Sequence, residues 1–199
     1  MKSFIIIVCL CLPAVTLTAQ GDFKSQMTTA KKSYAAGKLE DAHFALQQAM
    51  QELDIIIGKE VLKLMPLKLD SLASNPKEDR VAANVGFVGA TIHRSYGKQG
   101  KAQVEIINNS PLISTVNAFL NSSFLGGMVR DENTKVVKVQ GYKARLEKQG
   151  ENANGKLNYS LQVPFNSALM TFTLNGFDEN EALSIANSFP LADIAKLIQ

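Results

Sequence analysis

Apolar and polar positions alternate along this chain with two different periods, and the change between them divides it. From Asp22 to Met65 the apolar residues recur every three or four positions, the helical period. Phe23, Met27, Ala30 and Tyr34 form one stripe that closes at Gly37. A second runs through Leu39, Ala42, Leu46, Ala49, Leu53, Ile56 or Ile57, Val61 and Leu64, and Pro66 stops it. The short break Ala36-Gly37-Lys38 between two such stripes predicts an antiparallel helical hairpin over residues 20–65. Residues 66–86 read as a polar linker, and beyond it the period falls to two. Ala90–Tyr96 and Ala102–Ile107 flank a Gly-containing turn and predict a hairpin. Ser110-Pro111 opens a helix with Leu112, Ile113, Val116, Phe119 and Leu120 on one face. After a loop, Asn121 to Asn133, three further strands are expected at Val136–Glu147, Leu157–Val163 and Ala168–Leu174. Asp178-x-x-Glu181 is a capping box, opening a helix that Pro190 interrupts before a last turn or two.

The order strand, strand, helix, three strands, helix, with short connections, predicts an α+β domain over residues 87–199. It should be an antiparallel sheet of about five strands with helices on one face.

Two resemblances attach to these patterns. Tyr34-x-x-Gly37-x-Leu39-x-x-Ala42-x-x-x-Leu46-x-x-Ala49 resembles the second half of a tetratricopeptide repeat, which implies that those six residues pack the hairpin. One copy cannot build the concave groove by which repeat arrays hold peptides. The second resemblance is C-terminal. Val139-x-Gly141-Tyr142-Lys143-Ala144, then Gly176-Phe177 and Glu181-Ala182-x-x-Ile185-Ala186-x-Ser188, looks like the PsbP-like group of small exported α+β domains. That resemblance implies a non-enzymatic exported module that binds or assists another component.

Composition alters the picture most at the N-terminus. Met1-Lys2-Ser3 places one charge before the apolar run Phe4–Leu12. Pro13 and the small residues of Leu17-Thr18-Ala19 follow, which is the layout of a secretory signal cleaved before Gln20. The run is too short to span a bilayer, which takes about 20 apolar residues. Leu10 and Val8, which precede Cys11 and Cys9, do not fit a lipid-attachment site. Cleavage over residues 1–19 would remove Cys9 and Cys11, the only cysteines, so the mature chain would have no disulfide, thiolate ligand or thiol nucleophile. It would keep twenty basic and eighteen acidic residues, a net charge of +2, too even for a dedicated nucleic-acid surface. The expected location is the periplasm or the exterior.

Candidate chemistry is sparse. His43 and His93 are the only histidines, and neither has a carboxylate at metal-ligand spacing. Gly97-Lys98-Gln99-Gly100-Lys101 has the wrong spacing for a P-loop, with Ala102 after the lysine, and reads as a hairpin turn. Glu40-Asp41, Glu78-Asp79 and Asp131-Glu132 are adjacent acids in caps or loops, and no serine sits in a Gly-x-Ser-x-Gly elbow. No cofactor, metal or catalytic set is expected. The apolar segment Phe124, Leu125, Gly126, Gly127, Met128 and Val129 is the candidate contact for a ligand or partner, since apolar loops are unusual on a surface. The function expected is therefore that of an exported, non-enzymatic binding or accessory protein, acting on a protein partner or a small apolar ligand. Two readings compete with it. One is an enzyme with a site assembled from distant residues. The other is envelope attachment through the amphipathic helix Leu39–Met65, whose mixture of acids and lysines gives no basic membrane face.

Overall fold

The structure, a computed structural model, describes residues 23–84, 89–122, 133–152 and 155–198. The expected signal peptide and the segment Phe124–Val129 lie outside the described residues.

Helix α1 (Phe23–Ala35) and helix α2 (Leu39–Leu64) form the predicted hairpin. Gly37 turns the chain at φ +72°, a conformation that suits a residue without Cβ. A small ribbon follows, β1 (Lys68–Leu69) and β2 (Leu72–Ala73), and then the main sheet. Its strands are β3 (Arg80–Ala83), β4 (Ala90–Tyr96), β5 (Ala102–Asn108), β6 (Thr134–Val139), β7 (Tyr142–Glu151), β8 (Leu157–Phe165) and β9 (Ala168–Asn175). Helix α3 (Ile113–Ser122) lies between β5 and β6, and α4 (Glu179–Asn187) and α5 (Leu191–Leu197) close the chain. The strand order is β3-β4-β5-β9-β8-β7-β6, antiparallel throughout. Two meanders thus meet where β5 pairs with β9.

The sheet has seven strands where about five were expected. One extra strand comes from Val136–Glu147, which is a hairpin rather than a single strand. Gln140 and Gly141 both have positive φ, +47° and +89°, the twist of a two-residue hairpin turn. Glutamine in the first turn position hides that signal. The other is β3, inside the stretch read as a linker, where Arg80–Ala83 is only four residues long, half of them alanine, too short to announce a strand.

Helices cover both faces, not one. On the first face, Ile92, Val104, Ile106, Leu161, Val163, Met170 and Phe172 are buried beneath α4, α5 and the C-terminal half of α2. Gly58 lets α2 approach the sheet, because a Cβ there would stand 2.6 Å from Val81 Cγ1. The capping box holds α4, with Asp178 accepting from the Glu181 amide and Glu181 from the Asp178 amide, each at 2.8 Å. On the second face α3 sets Val116 and Leu120 on Leu169, with Phe119 and Val136 beside them.

Candidate polar cleft on the open sheet face

The period of two that buries one set of residues on β4, β5 and β9 points the alternate set the other way. Thr91, His93, Gln103, Glu105, Thr171 and Thr173 are these alternates, and all are half-buried. Strand register aligns them. Arg80 on β3 lies opposite His93 on β4, His93 opposite Glu105 on β5, and Glu105 opposite Thr171 on β9. The row continues through Gln162 on β8 and Arg145 on β7 to Val136 on β6. It therefore crosses every strand of the sheet.

Helix α3 divides that row. On its side Arg145 is committed: its guanidinium donates to Gln162 Oε1 at 3.2 Å, pairs with Glu147 at 3.1 Å and lies 5.3 Å from the Phe119 ring. Away from α3 the face curves into a concavity of about 290 Å³ lined by Arg80, Ala82, Thr91, His93, Gln103, Glu105, Thr171 and Thr173. Among the described residues the side chains of Arg80, His93 and Glu105 make no hydrogen bond or ion pair to one another.

The next residue along β4 shows what commitment looks like. Arg94 faces the core and is 5% exposed. Its Nε and Nη2 donate to the two Asp79 carboxylate oxygens at 2.9 and 2.5 Å, and its Nη1 donates to the Met65 carbonyl at 2.6 Å. The Asp79 carboxylate raises the Arg94 pKa further above its usual value, against the burial that lowers it. One side chain thereby ties the end of α2 and the turn before β3 to the sheet. Beside it the Tyr96 hydroxyl is buried and has no hydrogen-bond partner of proper geometry among the described residues. Burial pushes its pKa well above the ordinary phenol value, and the nearby Arg94 charge only partly opposes this.

Of the residues expected to pack the hairpin, Ala42 and Ala49 are buried, with Ala30 and Ala45 beside them. Tyr34, Leu39 and Leu46 are 71%, 64% and 45% exposed. The two helices meet through small side chains, so large ones at the neighbouring positions are pushed outward. Gly37 is in the turn with open space around it. His43 is exposed on α2, and no group of three or more potential metal ligands occurs among the described residues. The turn Gly97–Lys101 is the β4–β5 connection, with a 3₁₀ turn at Lys98–Gly100. No helix is long and apolar enough to cross a membrane among the described residues.

Sequence patterning alone does not reveal the cleft. Its polar alternation is visible within each strand, but the juxtaposition of Glu105 with Thr171 depends on β5 pairing with β9, which local patterning does not specify.

The fold is that of an α+β protein with a seven-stranded antiparallel sheet, helices on both faces and a helical arm at the N-terminus. No protein-family model and no curated protein matches the chain.

Proposed function

We propose that this is an exported, non-enzymatic binding protein that takes its ligand on the open face of the sheet. The supporting observation is the uncommitted row Arg80, His93, Glu105, Thr171 within a concave cleft. Neighbouring strands are about 4.8 Å apart, so Arg80 and Glu105, two strands apart, are separated by roughly 10 Å at the backbone. That separation suits an extended ligand with a carboxylate at one end and a cationic group at the other. A short peptide, or an exposed loop of a partner protein, has this chemistry. The Thr171 and Thr173 hydroxyls would serve peptide groups beside the charges, whereas the Thr91 hydroxyl already donates to Asn84 Oδ1 at 2.7 Å. The charged side chains Arg80 and Glu105 in the lining favour such a ligand over the small apolar one expected from the sequence.

A binding role is preferred to a catalytic one on the chemistry of the row. His93 faces Glu105 across the ladder, yet no hydrogen bond joins them, and among the described residues no hydroxyl is bonded to His93 as a nucleophile would be. The signal-like N-terminus supports export. Titration of the ¹⁵N-labelled protein with unstructured tripeptides, zwitterionic and capped, tests the reading. Zwitterionic peptides should shift amides of β3, β4, β5 and β9, and Arg80→Ala or Glu105→Ala should remove the effect. Shifts confined to other elements, or unchanged in both variants, would overturn it.

A further inference from the structure

The two ends of the open-face cleft differ. Along the row that begins at Arg80, the lining residues stop at Thr171 on β9. The next two positions are occupied: Gln162 accepts from Arg145 at 3.2 Å, and Arg145 lies over the Phe119 ring of α3. Val116 and Leu120 of the same helix pack on Leu169, two residues before Thr171 on the same strand. Helix α3 therefore stands across the row beyond Thr171.

No such wall closes the Arg80 end. Strand β3 is the edge of the sheet, and among the described residues β4 is its only neighbouring strand. Arg80 and Ala82 are exposed on it. Helix α2 meets β3 on the other face, where Val81 sits against Gly58, so the helical arm does not cover this end.

Charge gives the row a direction. Among the lining residues Glu105 is the only acid and Arg80 the only arginine or lysine. A bound chain must therefore point its cationic group inward, towards α3, and its anionic group outward, towards the sheet edge. A terminal amine on Glu105 suits the closed end, because no further residue has to pass α3. An extended chain advances about 3.3 Å per residue, so its third residue reaches Arg80, roughly 10 Å away at the backbone. There the chain either ends in its own carboxylate or presents an acidic side chain and runs on past β3. A mid-chain loop would have to leave at both ends, and α3 opposes one of them.

We infer that the cleft receives the free N-terminus of a partner polypeptide carrying an acidic residue at its third position, with the rest of the partner leaving over β3. This polarity rests on the peptide-binding reading of the same cleft.

The probe is an unstructured octapeptide with aspartate third from its free amine and an amidated C-terminus, with a zwitterionic tripeptide as the control for binding itself. In calorimetric titrations the octapeptide should bind within about threefold of the tripeptide. Acetylating its amine should weaken it by at least about tenfold, the loss of a charge-assisted hydrogen bond. Asparagine in place of its aspartate should cost a similar factor. Glu105→Gln should bring the free and acetylated octapeptides to about equal affinity. A nitroxide on the last residue of the octapeptide should broaden the amides of β3 more than those of α3. The acetylation, asparagine and nitroxide arms alter the peptide alone, so they decide the matter even if Glu105→Gln misfolds. Equal binding of the free and acetylated octapeptides, binding of the tripeptide but not the octapeptide, or broadening centred on α3 would overturn the polarity while leaving the cleft a peptide site. Failure of both peptides to bind would overturn the peptide reading and the polarity together.

Discussion

Arg80 and Arg94 sit on adjacent strands and share a side-chain chemistry, yet the fold uses them differently. Arg94 is under the helices, with both Asp79 oxygens and the Met65 carbonyl as acceptors. Arg80 lies on the opposite face in a cleft, with His93 and Glu105 in line and no bond to either. A buried guanidinium must be matched at every donor, because an unmatched charge in a low-dielectric interior costs several kcal/mol. A solvated one can be left unmatched at little cost. Arg94 on the closed face is therefore accounted for by stability, and Arg80 on the open face has no such account. Function is to be sought where stability explains least.

The comparison can be broken first at its strongest point. Asp79→Ala strands a buried Arg94, and chemical denaturation should show a loss of about 3–5 kcal/mol. Phe172→Ala, beneath the same helices and in edge-to-face contact with Phe189, should lose a similar 3–5 kcal/mol. Arg80→Ala and Glu105→Ala should change stability by less than about 0.5 kcal/mol, the usual range for surface substitutions away from special features. A loss near that of Asp79→Ala would erase the distinction between the faces.

Tyr96 and Asp54 sharpen it further. Tyr96→Phe removes a buried hydroxyl that lacks a partner and should gain up to about 1 kcal/mol at neutral pH. Its folded pKa is raised, so the stabilisation is complete below the unfolded value near 10 and is lost as pH climbs towards the folded one. Alkaline unfolding profiles of wild type and Tyr96→Phe should therefore diverge above about pH 10. The smallest effect is expected at Asp54, whose carboxylate accepts from the Gly89 amide at 2.8 Å. Burial raises its pKa, and the Gly89 bond partly opposes that. Its stabilisation is complete below the ordinary value near 3.8 and declines as pH rises through the folded value. Asp54→Asn keeps an acceptor for Gly89 and should flatten that acid slope, with a change at pH 7 below about 0.5 kcal/mol after solvent screening.

The parts of this fold legible in the sequence are those whose determinants are local. The helix ends at Gly37, Pro66 and the Asp178–Glu181 box, and the runs of β4, β5, β8 and β9, follow from period and capping. What escaped depends on conformation or distance. The Gln140-Gly141 turn needs positive φ at a residue that rarely advertises it, and β3 owes its existence to pairing with β4. Two features were hidden for different reasons. Helical period marks Tyr34, Leu39 and Leu46 as apolar-stripe residues, but cannot say that they would stay exposed. Strand alternation marks His93 and Glu105 as polar-face residues. Only the closure of two meanders through β5 and β9 sets Thr171 and Thr173 against them.

The most direct test of the open-face claim is calorimetric titration of one zwitterionic tripeptide into wild type, Arg80→Ala, Glu105→Ala and Gln140→Ala, with thermal unfolding of each. The account predicts saturable binding to wild type and to Gln140→Ala, and at least tenfold weaker binding to both cleft variants at unchanged melting temperature. Equal affinity in all four proteins, or loss of binding that tracks loss of folding, would contradict it.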